Sequence, residues 1–220
     1  MRILEGLWKR EIGLLAVLLL AAAPAGAQAA PIFNGFYLAL GGGIVGLEDA
    51  QVDYGGAFQG GSIRFDSGWA VSGAAGWRVL DLYRVEFEIS HRHNDVWDVD
   101  PGFAGGGSVT ATTYMVNGYF DFPTYSYAGI VPYVGLGLGR AQFTHEIDVG
   151  GAAFSRSSSH AFAYQAIGGL EFPILPRRMS ATLEYRYLAT THPLFQDLGG
   201  FYYHSDYYSH TVFAGLRWGF

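Results

Sequence analysis

Three sets of side chains in this sequence are of types that could do chemistry. Seven histidines, His91, His93, His145, His160, His192, His204 and His210, carry imidazoles able to ligate a metal ion or contact a haem. Two neighbouring pairs, Ser159–His160 and His204–Ser205, hold the elements of a nucleophile and its base. The third set is a mixture of arginines and glutamates set between apolar residues, densest in RVEFEISHR, Arg84 to Arg92. There Val85, Phe87 and Ile89 favour leaving water while Arg84, Glu86 and Glu88 favour staying in it.

The histidines cluster toward one end of each predicted element. His91, His93, His204 and His210 are the candidates for a metal- or haem-contacting rim, although no spacing among the seven matches a ligand motif. The plain alternative is that histidine is tolerated in watery loops and costly against lipid. In both serine–histidine pairs the residues are adjacent, so on a strand they would point to opposite faces and could not pass a proton.

What elements would position these groups? The 220 residues suit one domain or two small ones, half of the chain is apolar, and only 15% is charged. There is no cysteine, which excludes disulfides, thiolate metal sites and a lipid-attachment cysteine. A formal charge of −6 argues against nucleic acid. Only one of the 13 basic residues, Lys9, is a lysine, so the rest of the chain uses arginine. Lys9 and Arg10, an apolar run of about 12 residues from Ile12 to Ala23, and the small-residue stretch AGAQAA describe a secretory signal peptide. It would span residues 1–29, with cleavage after Ala27 or Ala29, and the run is too short for a membrane-spanning helix.

Beyond the leader, apolar residues recur at every second position over segments of about ten residues. Eight strands are predicted, at about 35–44, 68–78, 83–90, 109–121, 132–140, 161–172, 179–188 and 209–220. Links of about four, ten and six residues (VLDL, FPTYSYAGIV, PILPRR) join alternate strands. The other four, around 45–67, 92–107, 141–160 and 189–208, are polar, glycine-rich and about 16 to 23 residues long. Short turns at one end and long loops at the other describe an all-β, eight-stranded antiparallel up-and-down transmembrane β-barrel occupying residues 30–220. Aromatics at the ends of the apolar faces fit an interfacial girdle, and glycine and alanine crowd the other face, as a narrow interior requires. Arg78, Arg84, Arg186 and Arg217 would then share the lumen with Glu86, Glu88, Glu171 and Glu184. Confined charges survive there only as pairs, and the planar guanidinium fork suits them better than an ammonium. Such a plug leaves at most a narrow passage.

RVEFE (Arg84 to Glu88), NGYFDF (Asn117 to Phe122), PYVGLGLG (Pro132 to Gly139), YQAIGGLEF (Tyr164 to Phe172), LEYRY (Leu183 to Tyr187) and the ending GLRWGF resemble one group of proteins. These are the small outer-membrane barrels of the opacity-protein and outer-membrane-protein-A transmembrane type, including porin-family surface antigens of α-proteobacteria. The resemblance implies a Gram-negative outer-membrane location and a structural or surface role: envelope integrity, adhesion or antigen display. The implied partners are outer-membrane lipids and lipopolysaccharide, the barrel-assembly machinery, and a host or environmental ligand met by the loops. A monomer without cofactor is expected, and not an enzyme. Gly215, Trp218 and Phe220 match the family's assembly signal, with Phe213 standing where the pattern usually has a polar residue. Some eight-stranded barrels modify lipid A using a His-x-Ser pair, a spacing that neither serine–histidine neighbour has.

Overall fold

The computed structural model describes residues 35–47, 50–51, 62–79, 82–99, 105–123, 129–149, 152–175, 178–191, 194–196, 202–204 and 207–220. The signal-peptide reading, with Ala27 and Ala29, falls outside these described residues, as does His192. Twelve strands are present: β1 (Gly35–Leu47), β2 (Ala50–Gln51), β3 (Ser62–Phe65), β4 (Gly68–Val79), β5 (Tyr83–Val99), β6 (Gly105–Asp121), β7 (Val131–Val149), β8 (Ala152–Leu175), β9 (Met179–Thr190), β10 (Leu194–Gln196), β11 (Tyr202–His204) and β12 (Tyr208–Gly219).

Eight long strands close on themselves. Around the wall the order is β1, β4, β5, β6, β7, β8, β9, β12 and back to β1, and every neighbouring pair is antiparallel. Closure leaves no unpaired edge, which is what lets strands cross a medium that offers no hydrogen bonds. Pro173, which has no N–H to give to a ladder, coincides with a register shift near the end of β8.

The alternation of the sequence becomes an outside and an inside. Leu38, Leu40, Ile44, Val71, Val85, Phe87, Leu136, Leu138, Leu183 and Leu216 all face outward. Their direct neighbours in the chain are sealed inside: Tyr37, Arg84, Glu86, Glu88, Glu184 and Arg217 are each at most 4% exposed. In water an outer surface so apolar would aggregate; in a bilayer it is the side that belongs there.

The connections differ from expectation at the long-loop end. The stretches 92–107 and 141–160 are mostly strand, because β5 runs on to Val99, β6 begins at Gly105, β7 reaches Val149 and β8 begins at Ala152. The two hairpins are thus long paired ribbons with short tips. Their glycines, serines and acids show no apolar period and so read as loop. Once the stems are zipped at the barrel rim, each further pair adds backbone hydrogen bonds without a new loop-closure cost. β3 also pairs with the far end of β5 across part of the predicted 45–67 loop.

An outward charge should therefore cost according to its depth. Leu136→Arg, in the apolar band, is expected to lower stability by about 2–4 kcal/mol, and His160→Arg, at the rim, by about 0–1 kcal/mol. Urea unfolding of the barrel refolded into lipid vesicles measures both, and equal effects would contradict the assigned membrane position.

Candidate functional site

The lumen is where the fold gathers its chemistry. Each of its groups comes from an inward position on a different strand, so residues far apart in sequence meet across the barrel. Arg78 on β4 lies 2.5 Å from Glu171 on β8 and 3.3 Å from Asp121 on β6. Arg84 on β5 sets both Nε and Nη2 on one oxygen of Asp121, at 3.0 and 2.9 Å. Arg186 on β9 does the same with Glu184, at 2.7 and 2.6 Å, and also reaches Glu88 at 2.6 Å. Arg217 on β12 ties the set together, at 2.8 Å from Glu184, 3.3 Å from Glu171 and 3.6 Å from Glu86. All eight charged residues assigned to the lumen from the sequence are thus brought into one network.

Two groups were missed. Asp121 is buried at 1% exposure and serves two arginines, although it is the last residue of its strand. Arg92 is wholly buried on β5, where its position beside polar residues made it look like loop. The interior therefore holds five arginines (78, 84, 92, 186, 217) and five acids (86, 88, 121, 171, 184) among the described residues, not four of each.

Tyrosines complete the network, and glycines make room for them. Tyr37 and Tyr119 donate to the two oxygens of Glu86, at 2.5 and 3.1 Å, and Tyr133 donates to Glu184. The Arg84 guanidinium lies 4.6 Å from the centre of the Tyr119 ring and 4.5 Å from that of Tyr133. Each of these rings covers the cross-strand glycine paired with it: Tyr37 over Gly76, Tyr119 over Gly135 and Tyr133 over Gly169. A Cβ on any of the three glycines would come within 2.5 Å of its tyrosine ring. The abundance of glycine on the inward face thus reflects sockets as well as a narrow bore.

The interior is not uniformly ionic. The network fills the half nearer the short turns, whereas Val45, Leu47, Ala70, Ala111, Met115, Phe143, Leu188, Tyr207 and Phe213 form an apolar layer toward the long hairpins. Phe213 packs under Arg186, whose guanidinium is 4.4 Å from the ring centre, which explains an apolar residue at that step of the terminal pattern. Glu88 Oε1 has no partner among the described residues, and Glu88 borders a gap of about 20 Å³, room for about one water.

The histidine candidates are not brought together. His91 and His93 face outward on β5, both against the Trp69 ring, with His91 Nδ1 3.0 Å from Thr112 Oγ1. His210 lies on β12 with Nδ1 2.6 Å from the Tyr185 hydroxyl, and β4 and β1 separate it from β5. His204 stands on the separate β10–β11 ribbon. Among the described residues no cluster of three or more His, Asp or Glu could hold a metal. Ser159 is buried in the lumen while His160 faces outward, on the other side of the wall. At the chain end, Trp218 and Phe220 face outward, and the Phe220 N–H donates to the Phe36 carbonyl at 3.0 Å, across the seam between the first and last strands.

A closed eight-stranded wall, apolar outside and filled inside by paired charges, defines a transmembrane barrel of the bacterial outer membrane. The chain belongs to the outer membrane protein beta-barrel domain family, which matches residues 14–220. Among solved structures it is similar to OprG from Pseudomonas aeruginosa (15% identity, 88% of this chain and 100% of that one, TM-score 0.62). It is also similar to Neisserial surface protein A (19%, 84% and 97%, 0.51) and to AlkL in lipid bilayers (16%, 90% and 96%, 0.50). At these identities the likeness is one of fold. No curated protein matches the chain significantly.

Arg217→Met would leave Glu171 and Glu184 short of a cation, and an expected loss of about 3–5 kcal/mol follows from breaking a buried pair. Gly169→Ala should lift the Tyr133 ring off its seat and cost about 1–3 kcal/mol by overpacking. Both are read from the urea midpoint of the refolded barrel; a Gly169→Ala barrel as stable as the parent would refute the socket.

Proposed function

We propose that this protein is a sealed outer-membrane anchor that displays paired hairpins at the cell surface for adhesion or for immune and environmental contact. The observation that carries this reading is the length of the β7–β8 ribbon. Its ladder runs from Arg140↔Phe162 at the rim to Val149↔Ala152, with one register shift between Ile147 and Asp148. Beyond Leu138 the strand has 149 − 138 = 11 further residues. At about 3.3 Å per residue and a tilt near 40°, that lifts the tip roughly 25–30 Å above the apolar band.

A ribbon of that length is a poor lid and a good platform. The ion-paired lumen favours anchoring over transport, because moving a solute through it would require breaking buried pairs at several kcal/mol each. The role is read as non-catalytic, since the one fully described serine–histidine pair is split across the wall. In this reading the leader is removed on export, the terminal Gly215, Trp218 and Phe220 are read by the assembly machinery, and lipopolysaccharide surrounds the outward rim. The surface ligand is met by the hairpins.

The lack of native cysteine makes topology easy to test. Cysteine introduced at Ser158 should react with an impermeant maleimide on intact cells, and cysteine at Arg178, in a short turn, only after the outer membrane is opened. Planar-bilayer recordings should show no large steady conductance. The reverse labelling pattern, or a wide stable channel, would remove this reading.

A further inference from the structure

One buried cation stands apart from the network. Arg92 is 0% exposed and lies between Ala70 and Ala111 on the neighbouring strands, in the apolar layer toward the extracellular mouth. Its Nη1 donates to Ser90 Oγ at 2.7 Å and to Thr113 Oγ1 at 3.1 Å. Its Nε and Nη2 have no partner among the described residues. Those two nitrogens form the side-on edge of the guanidinium, a pair of parallel N–H donors that matches one carboxylate or phosphate group. Two other arginines in this lumen use that same edge on a carboxylate, Arg84 on Asp121 and Arg186 on Glu184. In Arg92 alone of the three it is bare.

We propose that the Nε/Nη2 edge of Arg92 is a docking point for one oxyanion, a carboxylate or phosphate group, entering from the extracellular mouth. Apolar burial of an arginine with two unmet donors is costly, and a bound oxyanion removes that cost. The immediate cross-strand neighbours, Ala70 and Ala111, carry no polar side-chain atom that could meet the edge. The nearest acid along the strand, Glu88, is committed to Arg186 at 2.6 Å. The four other arginines face five acids, so Arg92 balances the interior in count while making no contact with the surplus charge. That long-range balance lets the empty site persist and makes the binding weak, of millimolar order. The oxyanion is either a free solute or the head of a short amphiphile.

The test is a titration of the refolded full-length barrel with acetate, inorganic phosphate and octanoate, each against chloride at constant ionic strength. The readout is the temperature at which gel migration changes from folded to unfolded. The parent should show a saturable rise. Arg92→Met should show none, and Arg92→Lys, which keeps the buried charge but not the fork, should need at least about tenfold more anion for the same shift. Acetate and octanoate acting alike identify a free solute, and octanoate acting at lower concentration identifies an amphiphile; both support the site. No shift in the parent at about 100 mM anion, well above millimolar affinity, overturns the proposal. So does a shift of equal size in Arg92→Met or, should that variant not fold, an undiminished response in Arg92→Lys.

Discussion

Every inward polar group in this barrel depends on one constraint: the outward half of each strand touches acyl chains, so the inward half has nowhere else to go. Eight strands enclose a space that side chains just fill, and water cannot enter in bulk to solvate them. Charges confined there persist only because each finds an opposite charge or a hydroxyl on another strand. Arg217, held among Glu86, Glu171 and Glu184, shows how one planar cation can serve carboxylates from three strands at once. The tyrosines add donors to the same carboxylates, and the glycines opposite them are the condition for the rings to lie flat against the wall.

The same constraint separates the two halves of the molecule. Within the membrane the lumen holds an ionic layer and, toward the long hairpins, a layer in which apolar side chains mix with buried Ser90, Thr113, Ser159, Thr190, Ser209 and Thr211. Beyond the apolar band the strands run on as ribbons whose backbone remains paired. Membership of the outer membrane protein beta-barrel domain family agrees with the closed wall.

Much of this was legible in the residues. A side-chain period of two fits a soluble sheet as well as a barrel, and RVEFE alone does not choose between them; the aromatics at the strand ends, the glycine and alanine on the polar face and the strand lengths together point to the membrane. Positions far out on the hairpins were not legible, because their residues carry no alternation of apolar and polar side chains. Arg92 was missed because it lies just past the recognisable alternation of its strand, and Asp121, although on the polar face of its strand, was left out of the network because it is that strand's last residue.

What the sequence determined by itself was therefore which residues share a face within the eight regularly alternating segments, since alternation is a local property of consecutive side chains and survives any rearrangement of the strands. Which charges meet was decided only in three dimensions. Arg78 and Glu171 are 93 positions apart, and Arg186 and Glu88 are 98; barrel closure and strand stagger, not spacing along the chain, bring them within bonding distance. The bare edge of Arg92 is a tertiary fact of the same kind, because an unmet donor is defined by what every other strand fails to place beside it.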